Sequence, residues 1–163
     1  KNEEWIVLIG LLDNKPYEIF GGKADKIIIP QKYTKGIIVK HPRKTANSIY
    51  DLRFNGTDET DAITLKDIIK QFENENHSSF TRMLSLSLRH GAKVNYICEQ
   101  LLKDENEDLF GFSRVIARVL KKYIPEGTKS SLDKKCSQCG EENSLIYAEG
   151  CVRCSVCSFS KCG

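Results

Sequence analysis

A chain of 163 residues, 40% apolar and 29% charged, has the composition of one globular domain, or of a domain with a small appended module. That length excludes a barrel enzyme of roughly 250 residues, and no apolar run reaches the roughly 20 residues of a membrane helix. The balance of 25 basic against 22 acidic residues (net charge +3) is too weak to argue for nucleic acid by charge. The opening Lys1-Asn2-Glu3-Glu4 has no apolar stretch of secretory length, so a cytoplasmic protein is expected. The absence of an initiating Met suggests a segment trimmed from a longer chain.

The first third reads as β-structure. Residues 5–12 form an apolar run of strand length, Asp13-Asn14-Lys15 before Pro16 supplies a turn, and Tyr17–Phe20 alternates apolar with polar. This pattern predicts a hairpin closed by Gly21-Gly22. Further strands are expected at 26–29, 36–41 and 48–54, with Asn55-Gly56 as punctuation, giving an antiparallel meander. Leu65, Ile68, Ile69 and Phe72 then recur at helical spacing, predicting a helix over 64–73. Ser78-Ser79 is a candidate cap for a helix running to Arg89, with Gly91 as its stop. Val94, Ile97, Cys98, Leu101 and Leu102 make another stripe, and Phe112, Val115, Ile116, Val119, Leu120 and Tyr123 a third. Residues 125–135 have linker composition. The expected fold class is α+β: a β-rich part (1–57), a helical part of the same domain (58–124), the linker, and a small cysteine-rich module (136–163).

Six of the seven cysteines crowd that module: Cys136, Cys139, Cys151, Cys154, Cys157 and Cys162. Two C-x-x-C knuckles around a short hairpin can place four thiolates tetrahedrally about zinc, and so short a segment would owe its folding free energy to the metal. Six thiols exceed four ligands by two. One partition uses Cys136, Cys139, Cys154 and Cys157, leaving Cys151 and Cys162. The other uses Cys136, Cys139, Cys151 and Cys154, leaving Cys157 and Cys162. The second is favoured, because thiol–disulfide exchange needs access as well as thiolate character, and Cys157 and Cys162 would lie on the terminus. Cys98 falls on an apolar helix stripe and reads as core. His90 reads as a helix C-terminal turn, Asp58, Glu59 and Asp61 as an acidic stretch before a helix, and the 32–44 basic run as a solvated face.

The quoted knuckles, with Glu149-Gly150 before Cys151 and Lys161 before Cys162, resemble the carboxyl terminus of adenosylcobalamin-dependent (class II) ribonucleotide reductases. Residues 9–20 resemble the hairpin preceding that tail, and 80–91 the helical accessory domain of the same family. Ser158 stands where the family commonly has Gly, which speaks against Cys157 as a knuckle ligand. The resemblance implies replacement of the ribose 2′-hydroxyl by hydrogen in a ribonucleoside diphosphate or triphosphate, the step that supplies DNA synthesis. In the family, two thiols of a cobalamin-dependent barrel become a disulfide, a tail dithiol restores them, and thioredoxin or a similar reductant recharges the tail. Only the tail role carries over, onto Cys157 and Cys162 (or Cys151 and Cys162). Asn95, Cys98 and Glu99 lack the Asn-x-Cys-x-Glu spacing of the barrel's radical motif. Zinc is then the cofactor expected here, adenosylcobalamin belongs to the barrel, and the barrel and the reductant are the expected partners.

Two other classes compete. A zinc-ribbon module binding nucleic acid or a protein would draw on Lys134, Lys135, Arg153 and Lys161, although Tyr147 and Phe159 are thin provision for base stacking. A self-sufficient thiol oxidoreductase would need a strand–helix setting around its C-x-x-C that this sequence lacks.

Overall fold

The computed structural model describes residues 3–30, 32–54, 62–72, 74–103 and 111–162. The expected turn at Asn55-Gly56 and the acidic Asp58, Glu59 and Asp61 lie outside them. The chain is α+β, as its patterning predicts: three antiparallel sheets, with helices packed between them.

Strands β1 (Trp5–Leu12) and β2 (Lys15–Lys23) form the first hairpin. Leu12 pairs with Lys15, so the turn is the two residues Asp13 and Asn14, at φ 50° and 61°. Asx residues tolerate this left-handed geometry, which matches the twist of the flanking strands. Gly21 and Gly22 do not close the hairpin; β2 runs through both. Their missing side chains admit aromatic rings. A Cβ on Gly22 would lie 2.7 Å from the Phe72 ring, and one on Gly21 3.1 Å from that of Phe112.

The second sheet has the order β3 (Ile37–His41), β4 (Ile49–Phe54), β5 (Ile63–Leu65). Residues 26–29 join no strand among the described residues: Ala24–Lys26 is a 3₁₀ turn, and Ile28 is 86% exposed beside buried Ile27. The expected helix over 64–73 is split. Leu65 pairs with Leu52, and Asp67 sits at φ 49° with its N–H donated to Asp51 Oδ1, so only α1 (Ile68–Gln71) remains helical. The strand pairing and the left-handed residue override the local helical period.

Helix α2 (Glu75–Arg89) begins earlier than Ser78-Ser79 suggests, because the Asn74 side chain accepts from the N–H groups of Asn76 and His77. It ends at His90 with Gly91 at φ 83°. Helices α3 (Val94–Leu101) and α4 (Phe112–Leu120) follow the two apolar stripes. No helix among the described residues is long and apolar enough to cross a membrane.

Successive residues of β2 serve different cores. Phe20 joins Tyr50, Leu52, Phe54 and Ile68 beneath the second sheet. Ile19 joins Ile97, Cys98, Ile116 and Leu120 of the helices, and this core continues into Leu145, Tyr147, Val152 and Cys154 of the cysteine-rich module. There β6 (Leu145–Ala148), β7 (Cys151–Cys154) and β8 (Ser160–Lys161) form the third sheet. The segment of linker composition is tied to it. The Gly127 N–H donates to Tyr147 O (2.9 Å), Tyr147 N–H to Thr128 O (2.8 Å) and Ser130 N–H to Leu145 O (3.0 Å). Polar composition there reflects an exposed sheet edge, whose backbone groups are satisfied by β6.

Candidate functional site

Two turns of the same design approach each other in the cysteine-rich module. In the first, the Gly140 N–H donates to Cys136 O (2.9 Å), and the Gln138 N–H points at Cys136 Sγ (3.4 Å). In the second, the Ser158 N–H donates to Cys154 O (3.2 Å), and the Val156 N–H points at Cys154 Sγ (3.4 Å). Both need a left-handed residue at the end: Gly140 has φ 76° and Ser158 φ 61°. Ser158 therefore occupies a glycine geometry without preventing the second knuckle, and its presence is no argument against Cys157.

The four sulfurs of Cys136, Cys139, Cys154 and Cys157 lie within 4.8 Å of one another. Cys136 and Cys157 are 3.7 Å apart, as are Cys139 and Cys154. Tetrahedral thiolates about 2.3 Å from a zinc ion stand about 3.8 Å from each other. The donor set and its spacing therefore fit such a metal ion, and these four residues could hold one.

This is not the grouping favoured from sequence, which placed Cys151 in the cluster and Cys157 outside it. The reason is the pleat. Cys151 and Cys154 are the two ends of strand β7, and residues three apart on a strand point to opposite faces. Cys154 faces inward, at 3% exposure, whereas Cys151 faces away. Val152 pairs with Lys161 and Arg153 with Ser160, so Cys151 stands opposite Cys162, and the two are joined in a disulfide with Cα atoms 4.6 Å apart. Cys157 and Cys162, the favoured exchange pair, are not bonded to each other in the structure, where Cys157 lies in the four-thiol cluster. β8 is two exposed residues long, so this disulfide clasps the outer edge of the sheet.

The electrostatics of the four-thiol cluster are compatible with a bound cation. The Ser144 hydroxyl, 3.3 Å away, and the N–H groups of Cys157 and Val156 stabilise the Cys154 thiolate and bring its pKa down to about 6. The N–H groups of Cys139 and Gln138 lower Cys136 as well. Against a Glu141 N–H that favours its thiolate, burial and the neighbouring thiols push Cys139 up to about 12. Some thiols ionise readily and then resist ionisation of the rest; a divalent cation removes that conflict.

Residues outside the cysteines hold the module in place. Glu99 of α3, 3% exposed, accepts from the Ser131 N–H (3.0 Å), the Ser131 hydroxyl and the Tyr147 hydroxyl (3.4 Å). Burial, with the Glu99 charge beside it, raises the Tyr147 pKa. Nothing in the local sequence singles out Glu99, Ser131 or Ser144, because their partners lie 32, 32 and 10 residues away. Cys98 is core, as its stripe predicts: fully buried, its thiol pushed up to about 12 by desolvation. It takes no part in either cysteine group.

A family model described as NrdJ homologue C-terminal domain matches residues 1–125, and the chain belongs to that family. Membership relates it to the carboxyl-terminal region of class II ribonucleotide reductases and links it to cobalamin-dependent ribonucleotide reduction. No curated protein and no solved structure matches it. The match ends before the cysteine-rich module, whose chemistry rests on the geometry above.

Proposed function

We propose that this member of the NrdJ homologue C-terminal domain family is the reductive end of a cobalamin-dependent ribonucleotide reductase, and that Cys151 and Cys162 carry its electrons. The observation behind this reading is the division of six cysteines into a four-thiol cluster and a separate disulfide on an exposed sheet edge. Zinc at Cys136, Cys139, Cys154 and Cys157 holds the two knuckles together and takes no part in the exchange.

The exchange balances as follows. Reduced Cys162, the exposed member of the pair, attacks one sulfur of the barrel disulfide as a thiolate, and the other barrel sulfur leaves as a thiol. Cys151 then attacks Cys162 in the mixed disulfide, releasing the second barrel thiol and closing Cys151–Cys162. Two electrons and two protons have moved to the barrel. A thioredoxin-like dithiol reverses the closure and becomes the disulfide itself. The sugar chemistry and the adenosylcobalamin belong to the barrel, and the cytoplasm, where a dithiol reductant is maintained, is the fitting compartment.

In the enzyme reconstituted with its catalytic barrel, Cys151→Ser and Cys162→Ser are each expected to abolish thioredoxin-driven turnover. Both retain zinc, and both keep a single turnover from pre-reduced enzyme. Cys139→Ser loses zinc. If Cys157→Ser retains zinc and loses thioredoxin-driven turnover, the pair is Cys157 with Cys162 and the assignment fails. If every variant sustains full thioredoxin-driven turnover, the relay is wrong and the ribbon is a binding module.

A further inference from the structure

A concavity lies apart from every cysteine, between β2, β4, α1, α2 and the loop before β4. Its volume is about 520 Å³, which falls within the range of small-molecule sites. The inner wall is aromatic: Phe20 and Tyr50 are both buried, with ring centroids 5.1 Å apart.

Glu18 also lines this wall and is 8% exposed. Its nearest partners are the Tyr50 hydroxyl at 3.4 Å and the Arg89 guanidinium at 3.8 Å. Both are longer than the roughly 2.5–2.9 Å of a full charge-assisted hydrogen bond. The carboxylate therefore keeps accepting capacity for a donor that enters the cavity.

The outer wall has the opposite character. Lys70 pairs with Asp67 at 3.5 Å, and Arg89 turns toward Glu18. Arg43, from the loop, and Arg82, from α2, meet no carboxylate among the described residues; Arg82 reaches only the Ser78 hydroxyl, at 3.5 Å. Two uncompensated guanidiniums on different elements suit a dianion, and the planar fork of guanidinium matches phosphate oxygens. The cavity thus has an acceptor at its inner end and two phosphate-matching donors at its outer end.

We infer that this cavity binds a phosphate monoester on a hydroxyl-bearing body, with the phosphate at Arg43 and Arg82 and a hydroxyl donating to Glu18. Sugar phosphates and nucleoside monophosphates share that chemistry. The site does not depend on the reductase reading, since no cysteine and no residue of the third sheet lines it.

Titration of the full chain with ribose 5-phosphate, adenosine 5′-monophosphate, ribose and inorganic phosphate, followed by amide chemical shifts, tests this. At least one ester is expected to bind tenfold or more tightly than ribose or inorganic phosphate, with shifts confined to residues 43–50, 67–70 and 78–89. The tighter ester identifies the source of the ligand. The double variant Arg43→Ala, Arg82→Ala should lose at least tenfold in ester affinity with an unchanged melting temperature, since both side chains are exposed. Glu18→Gln should weaken the ester and leave inorganic phosphate unaffected. The inference is overturned if neither ester binds, if inorganic phosphate binds as tightly as the esters, or if the double variant binds like the parent.

Discussion

The body of the molecule and its cysteine-rich module solve the same problem with different means. The described residues between 3 and 124 enclose two cores of Ile, Leu, Phe and Tyr side chains, and each loses water on folding. The module buries Leu145, Tyr147 and Val152, with Cys136 and Cys154, in the shared core, and packs Cys157 and Phe159 against it. Its remaining order comes from two knuckles facing each other and a disulfide across its edge. A short segment that buries little depends on cross-links. Yet it is not a loose tail, because Glu99 reaches from α3 to hold Ser131 and Tyr147.

The largest effect should come from the metal proposed at the four-thiol cluster. Structural zinc in small peptides is worth about 10–16 kcal/mol of apparent binding free energy. Chelation, or Cys154→Ser, is therefore expected to unfold residues 132–162 while helices α2 to α4 retain their far-ultraviolet signal. Hydrogen exchange resolved by segment measures this; equal loss of protection in the body would erase the contrast between the two regions.

An intermediate effect should come from the joint between them. Glu99→Ala leaves the Ser131 N–H and the Tyr147 hydroxyl without their acceptor, at a cost of about 1–3 kcal/mol. The expected outcome is faster exchange at 127–131 and in β6, with zinc content unchanged. Unchanged exchange in both segments would mean that shared apolar burial alone docks the module.

The smallest effect belongs to the body. His77 packs 5.1 Å from the Trp5 ring and 4.6 Å from Phe112, and its Nδ1 is buried without a hydrogen bond. Burial, then the nearby Lys23 charge, lowers its pKa below the ordinary 6.5. The unfolded chain takes up a proton near pH 6.5 that the folded chain refuses until the pH is lower. Stability is therefore highest above 6.5 and falls as the pH drops through that value toward the folded pKa. His77→Phe should flatten this fall by no more than about 2 °C in melting temperature between pH 7 and pH 5. The signal of Trp5, the only tryptophan, follows it. An identical pH profile in the variant would locate the acid sensitivity elsewhere, with the four clustered thiols as the next candidates.

The features set by the sequence alone are those with local causes. The Asp13-Asn14 hairpin, the Gly91 stop, the stripes of α3 and α4 and the burial of Cys98 all follow from turn chemistry or from a period of 3.6. Crowding of six cysteines likewise marks a candidate metal and thiol site by residue type and spacing. Tertiary structure decided what local pattern leaves degenerate. The Leu65–Leu52 pairing turned the start of an apparent helix into a strand, and aromatic packing carried β2 through Gly21 and Gly22. Above all, C-x-x-C spacing is the same for Cys151/Cys154 as for Cys154/Cys157. Only strand β7 separates them, because its pleat sends Cys151 to the outer face, where the register of β8 delivers Cys162.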